Sequence, residues 1–91
     1  QILANLRSES RLAAFLIDLG KRFSALGYSP NTFVLRMTRE EIGSYLGLSL
    51  ETVSRLFSRF QEDGLVDVQT RHLQITQPEA LADMASGKAS H

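Results

Sequence analysis

The stretch TREEIGSYLGLSLETVSRL, residues 38–56, carries the pattern that decides the fold. Thr38 and Glu41 have capping-box spacing, which starts a short helix, and Gly47 suits the left-handed position that ends one. Ser49 can cap a second helix immediately afterwards. Gly43 leaves room for two backbones to approach, and five apolar residues can fill the wedge between the helices: Ile42, Leu46, Leu48, Val53 and Leu56. The spacing predicts a helix-turn-helix.

The second helix of this motif has one apolar side. Val53, Leu56, Phe57 and Phe60 recur at i, i+3, i+4 and i+7. They predict a helix from Ser49 to about residue 63 that ends at Gly64. On the short helix before it we expect Ile42, Tyr45 and Leu46 to be buried.

The flanking segments predict the remaining elements. Residues 8–27, SESRLAAFLIDLGKRFSALG, predict a helix capped at Ser8 or Ser10 and ended by Gly27. Its apolar stripe comprises Leu12, Phe15, Leu16, Leu19, Phe23 and Leu26. FVLRM (33–37) is a candidate short strand, and LVDVQ (65–69) with HLQIT (72–76) predicts a hairpin around Thr70 and Arg71. Pro78 can start a last helix before a frayed tail, SGKASH (86–91).

These elements predict a mainly α protein with a small β-hairpin wing, which is a winged helix-turn-helix. Ten basic and ten acidic residues cancel, so any contact with nucleic acid must depend on where the charges lie. The sequence has no Cys, which excludes disulfides and thiolate metal sites and is typical of a cytoplasmic protein. No nucleophile–base set, metal cluster or phosphate loop is visible, and no apolar run is long enough to span a membrane. We therefore expect neither catalysis nor a bound metal.

The polar side of the second helix carries groups suited to base edges. Residues on a helix turn by about 100° each, so Glu51, Ser54 and Arg55 project together from its first turn, opposite the apolar side. Arg55 can donate to the O6 and N7 of guanine, Glu51 can accept from a cytosine or adenine amino group, and Ser54 can do either. The plainer interpretation is an exposed Glu51–Arg55 ion pair, worth about 0.2–0.5 kcal/mol.

Residues around this polar side suit the DNA backbone. Helix N-termini and their flanks offer Thr38, Arg39 and Ser49, and the predicted wing tip offers Gln69, Thr70 and Arg71. Thr52 and Arg59 flank the side that would face the bases. Glu62 lies on that same side two turns further on, which favours insertion of the first turn alone into the groove.

The segment MTREEIGSYLGLSLETVSRLFSRFQEDGLV (37–66) resembles the DNA-binding domain of the Crp–Fnr family of bacterial transcription regulators, closest to the Fnr (anaerobic regulator) branch. The resemblance extends from roughly Arg11 to Ile75 and includes RLAAFL and GYSPNTF. Glu51, Ser54 and Arg55 match the Fnr-type pattern, whereas the cyclic-AMP receptor branch has an Arg where this chain has Leu50. The resemblance implies an inverted repeat of TTGAT-type half-sites rather than TGTGA.

The resemblance also implies a larger protein. Because the chain begins with Gln1, we expect it to be part of a longer one, with residues 1–7 ending a dimerisation helix, 8–77 forming the DNA-binding domain and 78–91 a short helix and tail. It implies a homodimer, an N-terminal sensor domain that binds an iron–sulfur cluster or another effector, and an RNA polymerase contact near Tyr28–Phe33. No cofactor is expected in this segment. The alternative is a winged helix used for protein–protein contact or dimerisation.

Overall fold

The computed structural model describes the backbone of residues 2–87 and the side chains of residues 8–87. The elements run in the order α1 (Ile2–Ala25), β1 (Thr32–Val34), α2 (Arg39–Leu46), α3 (Leu50–Glu62), β2 (Val66–Gln69), β3 (His72–Ile75) and α4 (Pro78–Ala85). The helix-turn-helix of α2 and α3 followed by the β2–β3 hairpin confirms the predicted winged helix-turn-helix. Residues 88–91, the end of the predicted tail, lie outside the described residues.

Helix α1 is longer than the sequence pattern predicts. It runs without a break from Ile2 to Ala25, so Ser8 and Ser10 lie inside it and neither caps it, contrary to expectation. Its backbone also crosses the predicted domain boundary at residues 7 and 8, and that division stays a prediction. The C-terminal end is as expected, because Gly27 has a φ of 93° and the N–H of Tyr28 donates to the carbonyl of Phe23 at 2.9 Å.

Two glycines shape the turn between α2 and α3. Gly47 has a φ of 75°, and the N–H of Leu48 donates to the carbonyl of Gly43 at 2.8 Å, which closes α2. A Cβ at Gly43 would lie only 2.5 Å from the carbonyl oxygen of Leu48. A side chain at Gly43 is therefore incompatible with this turn, as the sequence predicts.

The capping box that begins α2 is formed in full. The N–H of Glu41 donates to the Thr38 hydroxyl at 3.1 Å, and the Glu41 carboxylate accepts from the N–H of Thr38 at 2.8 Å. Both ends of α2 are thus fixed by the residues that the sequence singled out.

The sheet contains one pairing that the sequence pattern did not predict. Its three antiparallel strands lie in the order β1-β3-β2, so β1 joins the hairpin, with Phe33 opposite Leu73. Gln69 pairs with His72 around the two-residue turn of Thr70 and Arg71, in which Thr70 has a φ of 60°. The N–H of Leu35 then donates to the carbonyl of Arg71 at 2.7 Å, which ties the wing tip to the segment before α2.

One core joins the helices to the inner face of the sheet. Its buried apolar residues are Leu12, Ala13, Leu16, Phe33, Leu35, Ile42, Val53, Leu56, Phe57, Phe60, Leu65, Val66, Leu73, Ile75 and Leu81. All four residues of the predicted apolar side of α3 are among them. No helix in the described range 2–87 is long and apolar enough to cross a membrane.

Two predicted core positions are wrong. Tyr45 is 66% exposed, because two-turn α2 packs through the sector of Ile42 and Gly43, and Tyr45 lies outside that sector. Leu26 is 73% exposed, because α1 ends at Ala25 and the helical spacing no longer holds in the turn that follows. Phe15 and Phe23 pack at the edge of the core and are only partly buried.

Substitution of Gly43 tests this packing directly. We expect Gly43→Ala to lower the free energy of unfolding by about 1–3 kcal/mol, because the added methyl overlaps a backbone carbonyl that must then shift. Urea unfolding measures the change, and Ser44→Ala, at the exposed neighbouring position, is the control. Equal stability of the two variants would contradict the proposed close approach.

Candidate functional site: a nucleic-acid interface

The start of α3 is fixed by its own cap. The Ser49 hydroxyl accepts a hydrogen bond from the N–H of Thr52 at 3.1 Å and donates to the Thr52 hydroxyl at 2.9 Å. Val53 is fully buried one position later. Ser49 therefore caps α3 as predicted, and both hydroxyls are already engaged with each other.

The three predicted base-contacting residues lie together beyond this cap. Glu51 and Arg55 are exposed and Ser54 is half-buried, on the side of α3 opposite the core. Within residues 8–87 no ion pair joins Glu51 to Arg55, and the three side chains make no hydrogen bond to the protein. We call these residues the reading face. Its polar atoms are available to a ligand, and the plainer interpretation as an intrahelical ion pair finds no support in this geometry.

Leu50 is a candidate that reasoning from the sequence missed. It is the first residue of α3 and is 51% exposed beside Glu51. Helical spacing alone places it near the apolar side, which is why it received no role. The available signal was its position directly after the Ser49 cap, in the first turn of the helix, which is the part that a helix-turn-helix inserts into the groove.

The start of α2 and the tip of the wing enclose a shallow depression of about 240 Å³. It is lined by Leu35, Met37, Thr38, Arg39, Phe57, Val68, Thr70 and Arg71. The guanidinium carbon of Arg39 lies 5.1 Å from the ring centroid of Phe57, a distance at which a cation is attracted to the ring face. The fold thus brings two arginines and two hydroxyls, predicted separately, to one place suited to an anionic oxygen. We call it the wing depression.

The other predicted phosphate-binding residues lie elsewhere. Gln69 faces the outer side of the sheet, where it lines a different depression with Thr32 and Asp67. The Arg59 guanidinium forms an ion pair with Glu9 of α1, with Nη1 and Oε2 2.8 Å apart. Thr52 is half-buried and hydrogen-bonded to Ser49. Their contacts with phosphate stay predictions.

Acidic residues mark the far end of α3. Glu62 and Asp63 are exposed in its last turn and C-cap, where they would repel a phosphate backbone.

Among the described side chains, no group of three or more His, Cys, Asp or Glu residues could hold a metal ion.

A family of known domains matches this arrangement over most of its length. The Crp-like helix-turn-helix domain matches residues 10–84, which include α2, α3, the sheet and most of α1 and α4. The chain belongs to the Crp–Fnr family.

Three known proteins illustrate the relationship. The transcriptional regulatory protein btr of Bordetella pertussis is 63% identical over 70 residues, which cover 77% of this chain and 29% of btr. The fumarate and nitrate reduction regulatory protein of Escherichia coli is 46% identical over 84 residues, covering 92% of this chain and 34% of that protein. The structure of FixK2 from Bradyrhizobium japonicum superposes with a TM-score of 0.74 at 31% identity, covering 85% of this chain and 37% of FixK2.

This Crp–Fnr-family chain is therefore the DNA-binding winged helix-turn-helix domain of a transcription regulator. It spans about a third of the length of the relatives that it matches. The reading face of α3 and the adjacent wing depression both lie within the part of the chain that matches this family.

Ser49, the N-cap of α3, and Ser54, in its reading face, should separate structural from binding roles. We expect Ser49→Ala to lower the free energy of unfolding by about 1 kcal/mol, because the first turn loses its cap. Ser54→Ala should change it by less than about 0.5 kcal/mol, because Ser54 makes no hydrogen bond among the described side chains. Thermal or urea unfolding of both variants makes the comparison. A Ser54→Ala loss as large as that of Ser49→Ala would contradict this assignment.

Proposed function

We propose that the first turn of α3 enters the major groove and reads a TTGAT-type half-site, and that two copies of the domain bind an inverted repeat. The observation that carries the proposal is the reading face, whose Glu51, Ser54 and Arg55 project together without partners among the described side chains. Each has a donor or acceptor that fits a base edge, and the first helical turn is the part that a helix-turn-helix inserts.

The chemistry of the half-site matches these side chains. Arg55 donates to O6 and N7 of the guanine in TTGAT, and Glu51 accepts from the amino group of the paired cytosine or of an adenine. Ser54 can bond to either kind of group. Half-exposed Leu50 adds an apolar contact to a thymine methyl, which suits a half-site that begins with two thymines.

The wing depression positions the domain on the backbone. Thr38, Arg39, Thr70 and Arg71 bind one phosphate beside the half-site, which fixes the register of α3 without contributing sequence preference. The acidic end of α3 at Glu62 and Asp63 supports insertion of the first turn alone, because a helix lying flat would bring both carboxylates against phosphates.

The complete regulator provides the remaining parts. With zero net charge, a single domain binds weakly, and a homodimer places two reading faces on half-sites about 34 Å apart. By the family resemblance, a separate sensor domain binds an iron–sulfur cluster or another effector. We also propose an RNA polymerase contact near Tyr28–Phe33, which the family resemblance supports, and a cytoplasmic location, which the absence of Cys supports. Tyr28 is exposed in that segment, whereas Phe33 belongs to the core.

Fluorescence anisotropy with labelled duplexes tests the half-site. The chain should bind an inverted TTGAT repeat more tightly than a scrambled duplex, with affinity falling steeply as salt is added. Arg55→Ala should weaken binding to the TTGAT duplex by about 1–3 kcal/mol and remove discrimination at the guanine. Arg22→Ala, which removes an exposed arginine paired with Asp18 on α1, is the matched control.

Equal affinity of the unmodified chain for the two duplexes would reject the half-site. An Arg55→Ala variant that still discriminates at the guanine would reject the role of Arg55, even if the half-site preference itself were intact.

The contact of Leu50 with a thymine methyl has its own test. Replacing the half-site thymines by uracil removes the methyl groups and should weaken binding of the unmodified chain. The same replacement should leave the affinity of Leu50→Ala unchanged, because that variant has already lost the apolar contact. Equal sensitivity of the two proteins to uracil would contradict the assignment.

A further inference from the structure

Three consecutive residues of α1 contact the three other helices. Nη1 of Arg11 donates to the carbonyl of Leu46 at the end of α2, at 2.6 Å. The Ser10 hydroxyl donates to the carbonyl of Met84 in α4 at 2.8 Å, and the Glu9 carboxylate pairs with Arg59 of α3 at 2.8 Å. Successive helical residues point about 100° apart, so one turn of α1 reaches all three helices.

The contact with α3 differs from an ordinary surface ion pair. The Glu9 side chain is only 17% exposed, whereas that of Arg59 is 62% exposed. A carboxylate that is largely buried depends strongly on its counter-ion, because removal of that partner leaves an unpaired charge that water solvates poorly. Glu9 therefore holds the Arg59 guanidinium more firmly than an exposed carboxylate would.

Arg59 lies at the edge of the DNA-facing side of α3. It follows Thr52 by two helical turns on the same flank, so an unrestrained Arg59 side chain could reach a backbone phosphate beside the groove. Its charge is instead matched by Glu9, from a helix outside the helix-turn-helix.

We propose that Glu9 is a positioning residue that withholds Arg59 from the DNA backbone and so limits affinity that does not depend on sequence. Phosphate contacts strengthen binding to every duplex alike, whereas base contacts strengthen binding only to the correct one. Because Glu9 neutralises one cation beside the groove, the base contacts of the reading face contribute a larger share of the binding free energy. This role replaces the phosphate contact that the sequence suggested for Arg59, and it rests on the proposed insertion of the first turn of α3.

The salt dependence of binding to a scrambled duplex measures the effect. Each phosphate neutralised by a cation adds about 0.9 to the slope of log affinity against log salt. Glu9→Gln should release Arg59, strengthen binding to the scrambled duplex and steepen that slope by about 0.9. Between about 50 and 200 mM salt this adds about a 3.5-fold loss of affinity to that of the unmodified chain.

Two controls separate release of Arg59 from a change in net charge. Glu79→Gln makes the same charge change at an exposed position in the first turn of α4 and should leave the slope unchanged. The double variant Glu9→Gln/Arg59→Gln restores the original net charge and removes the released cation, and should have the slope of the unmodified chain. The double variant Arg39→Gln/Arg71→Gln removes both cations of the wing depression, should reduce the slope by about 0.9, and verifies that the assay detects the loss of one phosphate contact.

The behaviour of Arg59→Gln completes the test. The proposal predicts an unchanged slope, since Arg59 does not contact phosphate in the unmodified chain. A slope reduced by about 0.9 in Arg59→Gln, or one not steepened in Glu9→Gln, would overturn it. Thermal unfolding verifies that each variant is folded. If Glu9→Gln is unstable, the salt-dependence slope of Arg59→Gln still tests the proposal. Equal affinity of the unmodified chain for the TTGAT and scrambled duplexes would instead reject the proposed half-site, which is a different outcome from failure of the role of Glu9.

Discussion

The close approach of Gly43 to the carbonyl of Leu48 is the constraint on which the rest of the structure depends. It lets the backbone of α2 lie against the turn that follows it, and Gly47 reverses the chain there in a left-handed conformation. With that angle set, Ile42 and Val53 meet in the core and the first turn of α3 is held at the surface. The wing is brought next to the start of α2 separately, by the pairing of β1 with β3 and by the hydrogen bond from the N–H of Leu35 to the carbonyl of Arg71.

Roles within α3 are divided between neighbouring residues. Ser49 and Thr52 are hydrogen-bonded to each other at the N-terminus of α3, and buried Val53 holds the helix against the core. Within residues 8–87, the side chains of the reading face have no hydrogen-bond or ion-pair partner. Ten basic and ten acidic residues cancel in this domain, so the positions of its cations matter: Arg39 and Arg71 line the wing depression, whereas Arg59 is paired with Glu9. Specific binding then depends on where the donors and acceptors lie more than on total charge.

The parts of this fold that depend on local chemistry could be predicted from the sequence. The capping box of Thr38 and Glu41, the cap at Ser49 and the buried side of α3 all follow from spacing within a few residues. Spacing failed where a helix was short or had ended, as at Tyr45 and Leu26. Spacing also cannot predict contacts between residues that are distant along the chain, because those contacts depend on how the elements pack. Examples are the pairing of β1 with β3, the ion pair of Glu9 with Arg59, and the proximity of Arg39 to the wing.

Backbone amide chemical shifts, recorded while a TTGAT half-site duplex is added, test the central claim that only the first turn of α3 enters the groove. The account predicts large shifts at residues 50–55, at Thr38 and Arg39, and at Thr70 and Arg71, with small shifts at Glu62 and Asp63. Shifts at Glu62 and Asp63 as large as those at Glu51 and Arg55 would mean that α3 lies flat in the groove. That result would contradict the account.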